Sequence, residues 1–133
     1  MKIFRTLGLL SILAGTMLIQ SCSHLSSEAR EIVGNYVIPE VSDNVPVMEL
    51  NRDASCLVRA IRPGVITYTV RGTWNVENDS LVMMLDKTSV EVDGDASLVG
   101  DIPERYSRKI VEHSDLSLEL ENEGILYYYK KII

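Results

Sequence analysis

The sequence predicts an all-β fold: a small antiparallel up-and-down β-barrel of about eight short strands, preceded by an N-terminal signal helix. Three observations carry this. Beyond residue 31 the apolar residues recur in short period-2 runs rich in Val, Ile, Thr and Tyr, the pattern of half-buried strands. Turn-forming clusters such as Asn51-Arg52-Asp53, Arg62-Pro63-Gly64 and Glu121-Asn122-Glu123-Gly124 separate the runs. No segment in this region sustains a helical period, and most connections are only a few residues long, so strands adjacent in sequence pair with one another.

In chain order, Ile32 to Ile38 is the first strand, stopped by Pro39, and Glu40 to Pro46 is a polar connection closed by a second proline. Val47 to Leu50 is short. Cys56 to Ile61 follows the Asn51-Arg52-Asp53 turn. Val65 to Val76 is the longest β-favouring stretch, with Ile66, Tyr68 and Val70 on one side and Val65, Thr67, Thr69 and Arg71 on the other. Gly72 interrupts this alternation and is expected to mark a bulge. Ser80 to Leu85 places Leu81, Met83 and Leu85 on one face. Thr88 to Val92 reads as a separate edge strand, ended by Asp93-Gly94-Asp95. Tyr106 to Glu112 alternates, Leu116 to Leu120 is a clean period-2 strand, and Ile125 to Lys130 puts Ile125, Tyr127 and Tyr129 on a shared face.

The first 22 residues have a different build. Lys2 and Arg5 precede an apolar run from Leu7 to Ile19, and small residues lead to Cys22, as in a secretory signal. The run is shorter than the roughly 20 apolar residues of a membrane span and is broken by Gly8, Ser11, Gly15 and Thr16. Leu18-Ile19-Gln20-Ser21-Cys22 resembles the lipobox of bacterial lipoproteins. That resemblance implies cleavage between Ser21 and Cys22, diacylglycerol on the Cys22 thiol and acylation of the new amino terminus. The expected domains are therefore a signal peptide over 1–21, a lipidated flexible tether over 22–30 and a β-barrel over 31–133. Ser23 after the cysteine is the pattern that directs Gram-negative lipoproteins to the outer membrane. The lack of an acidic run there favours the periplasmic face over surface display.

Charge narrows the partners. Cleavage removes two of the 13 basic residues and none of the 19 acidic ones, moving the formal charge from −6 to −8. Such a body lacks the basic footprint of a nucleic-acid binder and is repelled by anionic lipid headgroups. Membrane attachment thus falls to the lipid on Cys22. With Cys22 acylated, Cys56 has no disulfide partner and is read as a small buried strand residue.

No constellation points to catalysis. His113-Ser114-Asp115 contains triad residue types, but neighbours on a turn point apart. No cluster of histidines suits zinc, and no glycine-rich phosphate loop is present. Asp93, Asp95, Ser97, Asp101 and Glu104 fall near the oxygen positions of a calcium loop, yet Leu98 stands where the sharp turn needs glycine. The loop is therefore read as acidic and solvated, with no cofactor or metal assigned. The aromatic residues Tyr36, Tyr68, Trp74, Tyr127 and Tyr129 remain as candidates, either packing the core or lining a ligand site.

Gly34-Asn35-Tyr36 on the first strand, Tyr68 leading to Gly72-Thr73-Trp74, Asp79-Ser80-Leu81 in a hairpin, and Leu116-Ser117-Leu118-Glu119-Leu120 before a tyrosine-bearing last strand resemble small lipocalin-like domains on lipoproteins of Bacteroides-type bacteria. The resemblance spans about residues 31–132 and implies an open-ended barrel with a pocket for a small apolar ligand. Two functions are expected from the whole chain: a non-enzymatic, lipid-anchored envelope protein binding such a ligand, or a structural or interaction subunit docking on an envelope protein partner through an exposed strand edge.

Overall fold

A computed structural model of the chain describes residues 24–133. The expected signal peptide and the lipidation site Cys22 lie outside the described residues. Eight strands follow in order: β1 Gly34–Val37, β2 Met48–Leu50, β3 Ser55–Arg62, β4 Ile66–Glu77, β5 Ser80–Gly94, β6 Arg105–His113, β7 Ser117–Asn122 and β8 Ile125–Ile132. Each pairs antiparallel with the next, and β8 returns to pair with β1, so the sheet is a closed up-and-down barrel.

Local chemistry sets the connections. Glu77 pairs with Ser80, leaving Asn78 and Asp79 as a two-residue hairpin turn, both with positive φ. Their short polar side chains tolerate that conformation, and its twist matches the flanking strands. Glu123 and Gly124 make the equivalent turn between Asn122 and Ile125. The alternation in the sequence becomes inside and outside: Leu118 and Leu120 are fully buried on β7, whereas Glu119 between them is partly exposed.

One end of the barrel is plugged. The segment expected as a flexible tether is folded from Leu25 onward, with helix α1 at Ser27–Arg30. Leu25, Ala29 and Ile32 are buried in one cluster with Tyr36, Trp74, Val76, Leu81, Leu118 and Leu120. Burying a side chain such as Ile32 contributes about 1.5–3 kcal/mol toward offsetting the entropy of ordering the segment. Polar contacts fix its register. Ser26 Oγ caps the helix by accepting from Ala29 N (3.1 Å) and donates to the Val76 carbonyl (3.1 Å). Asn75 accepts from Ser26 N (2.9 Å) and donates to the His24 carbonyl (3.1 Å). Tyr36 donates to the Ile32 carbonyl at 2.8 Å, and Trp74 Nε1 to the Asn51 carbonyl at 2.9 Å.

Two further expectations are corrected. Thr88–Val92 is not a separate strand but the far half of β5, reached across a bulge. Between Thr69↔Glu91 and Arg71↔Asp86 the register shifts, and the extra residues are held by side chains. Asp86 accepts from Thr88 N at 2.9 Å and from Thr88 Oγ1 at 2.6 Å, while Ser89 Oγ accepts from Arg71 N at 2.9 Å and donates to the Asp86 carbonyl at 2.6 Å. The Thr88 hydrogen bonds hold the exposed Asp86 carboxyl below its ordinary range. The bulge is thus not at Gly72, which is in register with Leu85. Glycine is required there because a Cβ would collide with the Met84 carbonyl oxygen across the strand pair.

Gly72→Ala is accordingly expected to destabilise the barrel by at least about 2 kcal/mol in urea unfolding. An unchanged midpoint would contradict the close approach of β4 and β5.

Candidate functional site

The two ends of the barrel differ in what fills them. Around the plug, inward positions carry Tyr36, Trp74, Leu81, Leu118 and Leu120, all buried, and close packing leaves little room. Toward the opposite end the inward residues of β3 and β4 include Val58, Ala60, Ile66 and Tyr68. There β5 also outruns its neighbour: β6 pairs with it only along Ser80–Met84, whereas β4 follows it to Gly94. The wall on that side is incomplete and the barrel opens into a mouth.

A cavity of about 400 Å³ occupies this mouth, within the 300–1,000 Å³ usual for small-molecule sites. Its apolar lining comes from Ile38 and Val41 after β1, Val47 and Met48 near β2, Val58, Ala60 and Ile61 of β3, Ile66 of β4 and Met83 of β5. Tyr68, Tyr106 and Tyr129 add phenol groups, and Arg59, Arg62 and Arg108 the only charges. Burial pushes the phenols of Tyr106 and Tyr129 above their ordinary range, so both stay neutral at any working pH and keep their O–H as a donor.

The aromatic candidates therefore divide. Tyr68 and Tyr129 line the cavity. Tyr36 and Trp74 lie in the packed cluster beside the plug, at 0% and 3% exposure, and burial raises the Tyr36 phenol to about 12. Tyr127 is partly buried, with its ring 4.6 Å from the Arg108 guanidinium carbon. Ile125 shares their strand face but sits at the strand end, 56% exposed. Arg108 is not among the residues the sequence singles out, although its alternation with Tyr106 and Ile110 places the three on one face. Nothing in the sequence distinguishes an inward arginine from one that snorkels to solvent.

The other constellations resolve as local structure. His113 lies 3.6 Å from Glu31, and Ser114 Oγ accepts from Leu116 N and Ser117 N in the turn before β7. Asp95 starts a single 3₁₀ turn at Ala96–Leu98 by accepting from Ser97 N and Oγ. No three His, Cys, Asp or Glu residues converge on a metal position among the described residues. Cys56 is buried, and its thiol is pushed up to about 11 by that burial, which suits packing rather than reactivity. No helix among the described residues is long and apolar enough to cross a membrane.

Neither a protein-family model nor a curated protein matches the chain. Among solved structures, a lipocalin-like protein from Bacteroides uniformis superposes with a TM-score of 0.51 at 19% identity, covering 77% of this chain and 99% of that one. An uncharacterized protein from Bacteroides eggerthii gives 0.47 at 17% identity over 75% and 98% of the two chains. At 19% identity the likeness to the Bacteroides uniformis protein is one of fold. The fold is a lipocalin-like β-barrel, as the resemblance in its sequence implied, and one of its ends is plugged, which that resemblance did not imply.

Proposed function

We propose that this protein is a lipid-anchored envelope lipoprotein whose barrel binds a small apolar molecule in the mouth cavity. The carrying observation is the cavity itself: about 400 Å³ of mainly apolar space above a packed floor. A barrel serving only as a scaffold gains stability by filling that space, since each unfilled volume forfeits dispersion contacts. The reading assigns binding and no chemical step, because the lining presents no nucleophile beside a base.

Anchoring rests on the sequence pattern at Cys22. Leu25 is packed into the plugged end, and the three residues from Cys22 to Leu25 span at most roughly 10 Å. A lipid on Cys22 then holds the closed end of the barrel at the outer membrane, with the mouth turned away from it.

The rival reading is an interaction subunit that docks through a strand edge. Its support is the outer part of β5, which pairs with β4 alone beyond Leu85. That edge carries Lys87, Glu91 and Asp93, all exposed, and charges of this kind oppose strand addition. The cavity is the better-supported site.

Two outcomes test the proposal. The neutral fluorophore N-phenyl-1-naphthylamine is expected to brighten on binding the wild-type protein, and Ala60→Phe, which fills the cavity, to weaken that binding at least ten-fold, equivalent to about 1.4 kcal/mol. No binding by wild type, or undiminished binding by the filled variant, would refute the site. Separately, Cys22→Ser is expected to leave the membrane fraction, and its retention there would refute the lipid anchor.

A further inference from the structure

The cavity wall carries charge of one sign. Arg59, Arg62 and Arg108 line it and no aspartate or glutamate does, in a chain whose formal charge is −6. The three arginines are not equivalent. Arg59 lies 3.4 Å from Glu49 and donates to the Pro46 carbonyl, so its charge is met within the protein. Arg62 is exposed at the rim, where water solvates it.

Arg108 is neither paired nor free in water. It is partly buried, and its guanidinium carbon lies 4.7 Å from the Tyr106 ring centre and 4.6 Å from that of Tyr127. Its Nη1 is closed off from solvent and has no hydrogen-bond partner among the described residues, and none of the ion pairs there includes it. A guanidinium stays protonated at every working pH. Part of the group is withdrawn from water, which carries a cost, and the neighbouring tyrosines, whose rings and phenol oxygens stabilise the cation, bring no negative charge to offset it. The wall is thus left with an unmet demand for an anion beside an apolar space.

We propose that the ligand of the mouth cavity is a single-chain amphiphile with a monoanionic head, in the simplest case a carboxylate, whose head pairs with Arg108 and whose tail lies against Met48, Val58 and Met83. The inference rests on the reading of the cavity as a ligand site and specifies its occupant. The neutral phenol of Tyr106 supplies a further donor to the head. The two thioethers, unbranched and polarizable, accommodate a tail of variable shape. The acidic exterior disfavours the same anion elsewhere on the surface, so Arg108 provides selectivity as well as affinity.

Calorimetric titration with dodecanoate and with dodecanol tests this, since the two differ only at the head. Wild-type protein is expected to bind the carboxylate roughly 10- to 100-fold more tightly, the range for a hydrogen-bonded charge contact against an unpaired one. Arg108→Gln is expected to lose that preference while retaining N-phenyl-1-naphthylamine, and Arg62→Gln to keep it. Equal affinity of wild type for the two probes, or a preserved preference in Arg108→Gln, would overturn the anionic ligand and leave the apolar site standing. Failure of all three probes to bind would overturn both. A readout that needs no variant is the Arg108 Nε–H resonance, which is expected to shift with dodecanoate and not with dodecanol. An unmoved resonance in the carboxylate complex would also overturn the assignment.

Discussion

Everything in this molecule depends on the pairing of β1 with β8. The ladder is short: Asn35, Tyr36 and Val37 face Ile132, Lys131 and Lys130. Without it the sheet has two open edges and no interior, because inside and outside are defined only once the barrel closes. Tyr36 carries much of this junction. Its side chain is fully buried, its hydroxyl donates to the Ile32 carbonyl, and it pairs with Met48 on the other flank. The same residue thus ties the closing strand, the plug and β2 together. Interior tyrosine suits the role because its ring fills space while its one polar atom finds a backbone acceptor.

Closure alone would give a filled barrel or an empty one. This barrel is divided because side-chain volume is unevenly distributed along its strands. Large residues and the plug of Leu25, Ala29 and Ile32 occupy one end, and Ala60 with the unmatched outer half of β5 leaves the other unfilled. Packing and cavity are thereby separated in space: the packed end holds the fold, so the mouth can keep Arg108 without a counter-charge and unfilled volume that a core could not tolerate. Such locally unfavourable groups are what the proposed ligand site rests on.

How much of this was legible in the sequence follows from the range of the forces involved. Strands such as Leu116–Leu120 were readable because a half-buried strand repeats every two residues and needs no distant information. The second half of β5 was misread because the bulge at Asp86, Thr88 and Ser89 breaks the period with the residue types that elsewhere end a strand. The plug was read as tether because its order comes from tertiary contact, although Leu25, Ala29 and Ile32 stand at helical spacing. The division of the aromatic residues was not legible at all. Tyr68 and Trp74 lie on one strand six residues apart with the same inward direction, and only the depth of each in the barrel decides which one meets the cavity. For Arg108 the missing information was which arginines find a carboxylate, a matter of distances across the barrel.

The central claim is that one end of the barrel is a receptor and the other is its foundation. Intermolecular nuclear Overhauser effects in a complex with dodecanoate test it most directly. The account predicts contacts from the ligand to the methyl groups of Met48, Met83 and Ile61 and none to Leu118 or Leu120 in the packed floor. Contacts confined to Leu126 and Tyr128, which are exposed on the outer wall, would contradict it.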